Sequence, residues 1–156
     1  MKKLKINTAI QISKPVDEVF EAIIDPQKMS NYFIAEGSAR MEEGKKLKWK
    51  FPEFPEEAEV EVVELTPLEY VSFQWEGVKG EQLLVEITLL PMPGETTLVK
   101  VTEDGMPANE AGIKWLAQNT EGWANFLASL KAYLEYGINL RKGAFDFMKE
   151  AANNKN

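Results

Sequence analysis

The chain contains neither histidine nor cysteine, and only two of its 156 residues are arginine. Zinc and haem therefore lose their usual ligands, histidine-based catalytic triads cannot be assembled, and disulfide bonds are excluded. An acid or base catalyst would have to be Asp, Glu, Lys or Tyr with an altered pKa. Because the acidic residues show no arrangement that favours such a role, we assign no catalytic residue, no metal site and no cofactor.

Long apolar runs are missing as well. Nowhere does the chain approach the roughly 20 consecutive apolar residues that cross a bilayer. The first residues, MKKLKINTAI, alternate between polar and apolar and lack the continuous apolar centre of a secretory signal. The formal net charge of −7 argues against nucleic acid, because binding to it depends on neutralising phosphates. We therefore expect a cytoplasmic protein whose partners include neither a membrane nor a nucleic acid.

Two kinds of hydrophobic periodicity divide the first two thirds of the chain. Alternation over residues 4–12 predicts a first strand with one buried face. The next stretch, VDEVFEAIID, has the apolar face of a helix, and residues 28–33 are predicted to form one more short helical turn. Residues 35–104 then follow a period of two, interrupted by turns that contain Gly or Pro. This pattern predicts six more strands in an antiparallel meander.

A long helix is predicted over residues 113–137, which contain no proline and gather large apolar side chains into one stripe. Asn119 lies near the middle of that stripe, where an unpaired amide would cost roughly 1–3 kcal/mol. Either the backbone of a loop or strand bonds to this amide, or Asn119 orients a bound molecule. Gly122 lies at the margin of the stripe, and we expect it to allow close approach of the helix to the rest of the fold.

The order of elements predicts one α+β domain over residues 1–150, with residues 151–156 as a disordered tail. Large aromatic residues dominate both sides of the predicted interface between the sheet and the long helix. Taken singly, each is better explained as core, but a strongly curved sheet laid over one helix is hard to fill, and small apolar ligands bind in such spaces. The residues predicted to line a ligand site are Thr8, Trp49, Phe51, Phe73, Trp75, Val85, Ile87, Trp115, Asn119, Trp123 and Phe126.

Four stretches carry a resemblance to a known family: ISKPVDEVFEAIIDPQKMSNYF, ELTPLEYVSFQW, TLVKVTEDGMP and EGWANFLASLKAYLE. They resemble the activator of heat-shock-protein-90 ATPase homologue-like family, which is part of the START and birch-pollen-allergen-like helix-grip superfamily (SRPBCC). The resemblance implies a curved seven-stranded antiparallel sheet around a long C-terminal helix. It also implies two short helices after the first strand and a cavity between the sheet and the long helix.

Three functions stay open at this point. The leading hypothesis is the binding of a small hydrophobic or aromatic molecule in the cavity between the sheet and the C-terminal helix. The alternatives are a chaperone cofactor or other protein-interaction module, and an enzyme similar to the polyketide cyclases. The stretch GINLRKGAFDFMKE is too apolar for a free tail, so it either packs back on the domain or forms a partner surface, and we expect a homodimer.

Overall fold

A computed structural model describes residues 2–149, so the tail predicted over residues 151–156 lies outside the described residues. Seven strands form one antiparallel sheet in the order β1-β7-β6-β5-β4-β3-β2. The strands are β1 (Lys3–Ile12), β2 (Glu36–Gly37), β3 (Lys46–Lys50), β4 (Glu57–Thr66), β5 (Tyr70–Val78), β6 (Glu81–Met92) and β7 (Thr96–Pro107). Apart from the pairing of β1 with β7, each strand lies beside its neighbour in the sequence, which confirms the predicted meander.

Three helices complete the fold: α1 (Val16–Ile24), α2 (Pro26–Met29) and α3 (Glu110–Tyr136). The α3 helix begins about one turn earlier than predicted, because the Asn109 side chain accepts a hydrogen bond from the Gly112 amide at 2.9 Å and caps the helix. It ends at Gly137, whose φ of 66° lies in the left-handed region that glycine adopts without strain. The predicted α+β helix-grip fold, with two short helices after β1 and a long C-terminal helix, is confirmed.

Cross-strand charge pairs stabilise the outer face of the sheet near its β2 edge. Lysines at positions 46, 48 and 50 of β3 lie opposite glutamates at positions 61, 59 and 57 of β4. Opposite charges placed in this way contribute roughly 0.2–1 kcal/mol per pair. The three lysines of β3 are therefore one half of a ladder of opposite charges, and the three glutamates of β4 are the other half.

The core lies between the inner face of the sheet and α3, and its centre is closed. Side chains from both layers are almost completely buried there, among them Trp49, Phe73, Trp123 and Leu130. The void that remains between β3, β5, β6 and the helices measures about 10 Å³, room for about one water molecule. The cavity that the resemblance implied between the sheet and the long helix is thus absent from this part of the described structure, because the aromatic rings interdigitate edge to face.

Candidate functional site

One end of the interface between the sheet and α3 stays open as a cleft of about 460 Å³. Four parts of the chain form its walls: the middle of α3, the β3–β4 loop with the end of β5, the loop between α2 and β2, and residues 137–149, which we call the C-terminal segment. Seven of the 17 residues that line the cleft are aromatic. The aromatic side chains that line the cleft are Phe33, Phe51, Phe54, Trp75, Trp123, Phe126 and Phe145.

A buried carboxylate lies behind the wall of the cleft. Glu103, on the inner face of β7, has no exposed surface. Its Oε1 atom accepts hydrogen bonds from Trp123 Nε1 at 3.0 Å and from Asn119 Nδ2 at 3.1 Å, and its Oε2 atom accepts one from Trp75 Nε1 at 2.8 Å. Hydrogen bonds to a charged acceptor are stronger than neutral ones. Glu103 therefore fixes both indole rings that line the cleft and the amide of Asn119 on its α3 wall.

Gly77 makes room for this carboxylate. A Cβ atom at position 77 would lie 2.5 Å from Glu103 Oε2 and 2.7 Å from Leu83 Cδ1, which is closer than real Cβ contacts allow. Gly77 also lies where the register of β5 and β6 shifts, between Glu76 and Val78. Its carbonyl oxygen is 3.5 Å from Asn119 Nδ2, a long contact beside the shorter one to Glu103. Glu103 can therefore occupy its position only because residue 77 has no side chain.

The C-terminal segment packs back on the domain and covers one side of the cleft. The Arg141 guanidinium donates to both carboxylate oxygens of Glu53, at 2.7 and 3.1 Å, and both side chains are largely buried. The same guanidinium lies 5.8 Å from the ring centre of Phe51 and 5.1 Å from that of Phe145, distances at which a cation is attracted to an aromatic face. These contacts show that the C-terminal segment packs back on the domain, which is one of the two roles predicted for it.

The structure brings five of the predicted site residues together on the cleft wall: Phe51, Trp75, Asn119, Trp123 and Phe126. Five others are buried in the closed core: Trp49, Phe73, Val85, Ile87 and Trp115. Thr8 is half-buried on β1 and donates to the Val101 carbonyl oxygen at 3.1 Å, so the sheet itself satisfies its hydroxyl. These six residues do not line the cleft.

The role predicted for Gly122 is wrong. A Cβ atom built at this position would meet no heavy atom within 4 Å, so close approach of two elements does not require glycine there. Instead, Gly122 lies on the cleft wall, where the lack of a side chain leaves space. The Asn119 amide donates to the carbonyl oxygen of Gly77 on β5, in agreement with the prediction of a backbone partner. It also donates to the Glu103 carboxylate, which the sequence analysis does not predict as its partner.

Among residues 2–149, no group of three or more acidic side chains is arranged to hold a metal ion. None of the helices in that range has the length and apolarity to cross a membrane. The cleft offers flat apolar walls, the oriented amide of Asn119 and the neutralised pair of charges at Arg141 and Glu53. Its lining also includes four other polar side chains: Glu76, Gln118, Asn125 and Ser129. Such a surface favours the burial of a flat apolar molecule with a small number of polar contacts.

Comparison with protein families gives one match, to the model of the Activator of Hsp90 ATPase homolog 1-like protein, over residues 13–135. A search among curated proteins gave no match.

Solved structures give close similarities. SSP2350 from Staphylococcus saprophyticus is 27% identical, with 86% of this chain and 94% of that chain covered and a TM-score of 0.77. DynU16, a protein in the dynemicin biosynthetic locus, is also 27% identical with a TM-score of 0.77, and the match covers 86% of this chain but 48% of DynU16. The Aha1 dimer from Colwellia psychrerythraea is 22% identical over 86% of this chain and 98% of that chain, with a TM-score of 0.72.

Proposed function

This chain belongs to the family of Activator of Hsp90 ATPase homolog 1-like proteins, and from that premise we propose that it binds a small apolar or aromatic molecule in the cleft. The observation that supports the proposal most is the cleft itself. Its volume of about 460 Å³ falls within the roughly 300–1,000 Å³ of small-molecule sites. It lies at the open end of the interface between the sheet and α3, whereas the sequence predicted a cavity enclosed between the two.

The walls of the cleft are held in place before any ligand arrives. Glu103 fixes Trp75 and Trp123 through their indole nitrogens, and the Arg141–Glu53 pair fixes the C-terminal segment. A rigid wall lowers the entropy that binding would otherwise lose. A ligand that buries about 200 Å² of apolar surface would gain roughly 5 kcal/mol from burial, before the loss of its own translational freedom is subtracted.

The similarity to DynU16 agrees with a small-molecule role, since that protein comes from a biosynthetic locus. We propose binding without a reaction, because the cleft presents no nucleophile with a neighbouring base among the described residues.

A cleft-filling variant tests the proposal. Gly122→Leu directs a side chain into the cleft, where a Cβ atom at position 122 meets no neighbour. Ala124→Leu is the matched control, because it adds an identical side chain on the exposed face of the same helix. Both variants should fold, and only Gly122→Leu should lose ligand.

The assay is a panel of neutral aromatic compounds of two to four rings, read by tryptophan emission and by the thermal midpoint. Trp75 and Trp123 line the cleft, so a bound compound should change their emission. A compound at 100 times its Kd should stabilise the protein by about 2.7 kcal/mol. The proposal is refuted if no compound shifts either signal, or if Gly122→Leu binds as tightly as Ala124→Leu.

We also propose that two copies of the chain associate through the outer surface of residues 136–147, which we call the C-terminal region. Exposed apolar side chains follow one another there: Tyr136, Ile138, Leu140 and Phe147. Large exposed apolar groups in succession are typical of association surfaces. The solution dimer of the Aha1 protein from Colwellia psychrerythraea, a structure of the same fold, supports pairing. Sedimentation equilibrium tests it, and a monomer mass at about 100 µM would refute it.

A further inference from the structure

The orientation of the Asn119 amide can be assigned from its neighbours. The nitrogen faces two groups that accept hydrogen bonds and cannot donate them: the Glu103 carboxylate at 3.1 Å and the Gly77 carbonyl at 3.5 Å. Turning the amide over would place its oxygen against these acceptors, an arrangement that hydrogen bonding disfavours. The Asn119 oxygen therefore points away from Glu103.

That oxygen is available to the cleft. Asn119 belongs to the cleft wall and is half-buried, and among residues 2–149 no group donates a hydrogen bond to its Oδ1 atom. A ligand in the cleft would cover this atom and remove the water that hydrates it. If a ligand covers a hydrogen-bond acceptor and offers it no donor, the complex loses the whole hydration free energy of that acceptor. A matching ligand must therefore present an O–H or N–H group at this point.

The charges around the cleft add a second restriction. Arg141 and Glu53 neutralise each other through two hydrogen bonds. Glu76 on the cleft wall and Glu103 behind it have no cationic partner of this kind among the described residues, so the local field is negative. A negative field in a partly dry site disfavours an anionic ligand.

We propose that the cleft selects uncharged aromatic molecules that carry a hydroxyl group, with the hydroxyl donating to Asn119 Oδ1. Glu103 acts as a positioning residue, because it holds the amide in the orientation that presents an acceptor. This inference rests on the proposed function, since it names the ligand class of the same cleft. Asn119 becomes the residue that determines specificity, while the aromatic wall supplies affinity without distinguishing one flat ring system from another.

Three probes of one size test the inference: 2-naphthol, 2-methylnaphthalene and 2-naphthoate. The first two differ in a hydroxyl against a methyl group, and the third is an anion at neutral pH. The quantity measured is the ratio of the Kd for 2-methylnaphthalene to the Kd for 2-naphthol. We expect Asn119→Leu to lower this ratio by about fivefold, the value of one hydrogen bond. Gln74→Leu, on the solvent face of β5, makes the same change of side-chain type away from the cleft and should leave the ratio unaltered.

A second measurement needs no variant. The side-chain carbonyl carbon of Asn119, observed by NMR in protein labelled at asparagine, should shift when 2-naphthol binds and stay in place when 2-methylnaphthalene binds. We expect 2-naphthoate to bind at least about tenfold more weakly than 2-naphthol.

The outcomes separate the two proposals. If 2-naphthol and 2-methylnaphthalene bind with a ratio that Asn119→Leu does not change, or with no shift of the Asn119 carbonyl, the selection of a hydroxyl is wrong and the proposed function stands. If none of the three probes binds and the wider panel of aromatic compounds also gives no signal, the proposed function fails together with this inference.

Discussion

Adding one methyl group at Gly77 should destabilise the fold through Glu103. The Cβ atom of Gly77→Ala would lie 2.5 Å from Glu103 Oε2, so the carboxylate has to retreat by about 1 Å to reach an ordinary contact distance. The hydrogen bond from Trp75 Nε1, now 2.8 Å, would then stretch beyond the useful range. The same methyl group also presses on Leu83 at 2.7 Å.

The magnitude follows from these two effects. A lost hydrogen bond to a charged acceptor destabilises by about 1.5–3 kcal/mol, and overpacking of a core position adds about 1–3 kcal/mol. The smaller entropy of the unfolded alanine chain offsets about 0.5–1 kcal/mol. We therefore expect Gly77→Ala to lower the free energy of unfolding by about 3 kcal/mol, a large part of the stability of a typical domain.

Urea unfolding followed by tryptophan emission measures this change, provided that the slope m stays constant. Gly122→Ala is the matched control, because the same methyl group there meets no atom within 4 Å and replaces a glycine inside a helix. It should raise the free energy of unfolding by up to about 1 kcal/mol. Equal effects of the two substitutions, or a loss at Gly77→Ala below about 0.5 kcal/mol, would show that Glu103 does not occupy the position assigned to it.

The fold could be predicted from the sequence because its signals are local. Alternation with a period of two identifies the strands, and the long stretch without proline identifies α3. The start of α3 was missed by about one turn, since the cap at Asn109 precedes the apolar stripe by several residues. The fold class thus followed from periodicity, while the exact start of the helix depended on one side-chain hydrogen bond.

The position of the cleft could not be predicted from the same signals. Whether a ring such as Trp49 or Phe73 fills the core or lines a cavity depends on how far the rings of the two layers interdigitate, which periodicity does not encode. The Arg141–Glu53 pair closes one wall across a separation of 88 residues. Neither residue carries a pattern that would connect it to the other.

Glu103 is a case in which a usable signal was present. It continues the inward alternation of Val99 and Val101 on β7, so period-two counting alone places a carboxylate inside the sheet. A carboxylate on an inward position requires hydrogen-bond donors. The indoles of Trp75 and Trp123 and the amide of Asn119 were already expected on the facing surfaces, and the sequence thus contained all the members of the network without their pairing.

Two further predictions concern the dependence of stability on pH and the association of two copies of the chain. Burial alone would raise the pKa of Glu135, but hydrogen bonds from Lys131 and from the Ser13 amide outweigh burial and lower the pKa from its usual 4.5. The stability that the ionised Glu135 side chain contributes is therefore present above pH 4.5. It disappears as the pH falls through the pKa that Glu135 has in the folded state. In urea unfolding at pH 7, the free energy of unfolding of the wild type should therefore exceed that of Glu135→Gln by about 0.5 kcal/mol, and the two values should converge near pH 3. A difference that stays constant with pH would refute this linkage. For association, Leu140→Glu places a charge among the exposed apolar side chains of the C-terminal region and should convert the proposed dimer to a monomer in sedimentation equilibrium, because a buried unpaired charge is strongly unfavourable. Ile113→Glu removes a similarly exposed apolar side chain near the other end of α3 and should leave the mass unchanged; equal masses for the two variants would mean that the C-terminal region is not the interface.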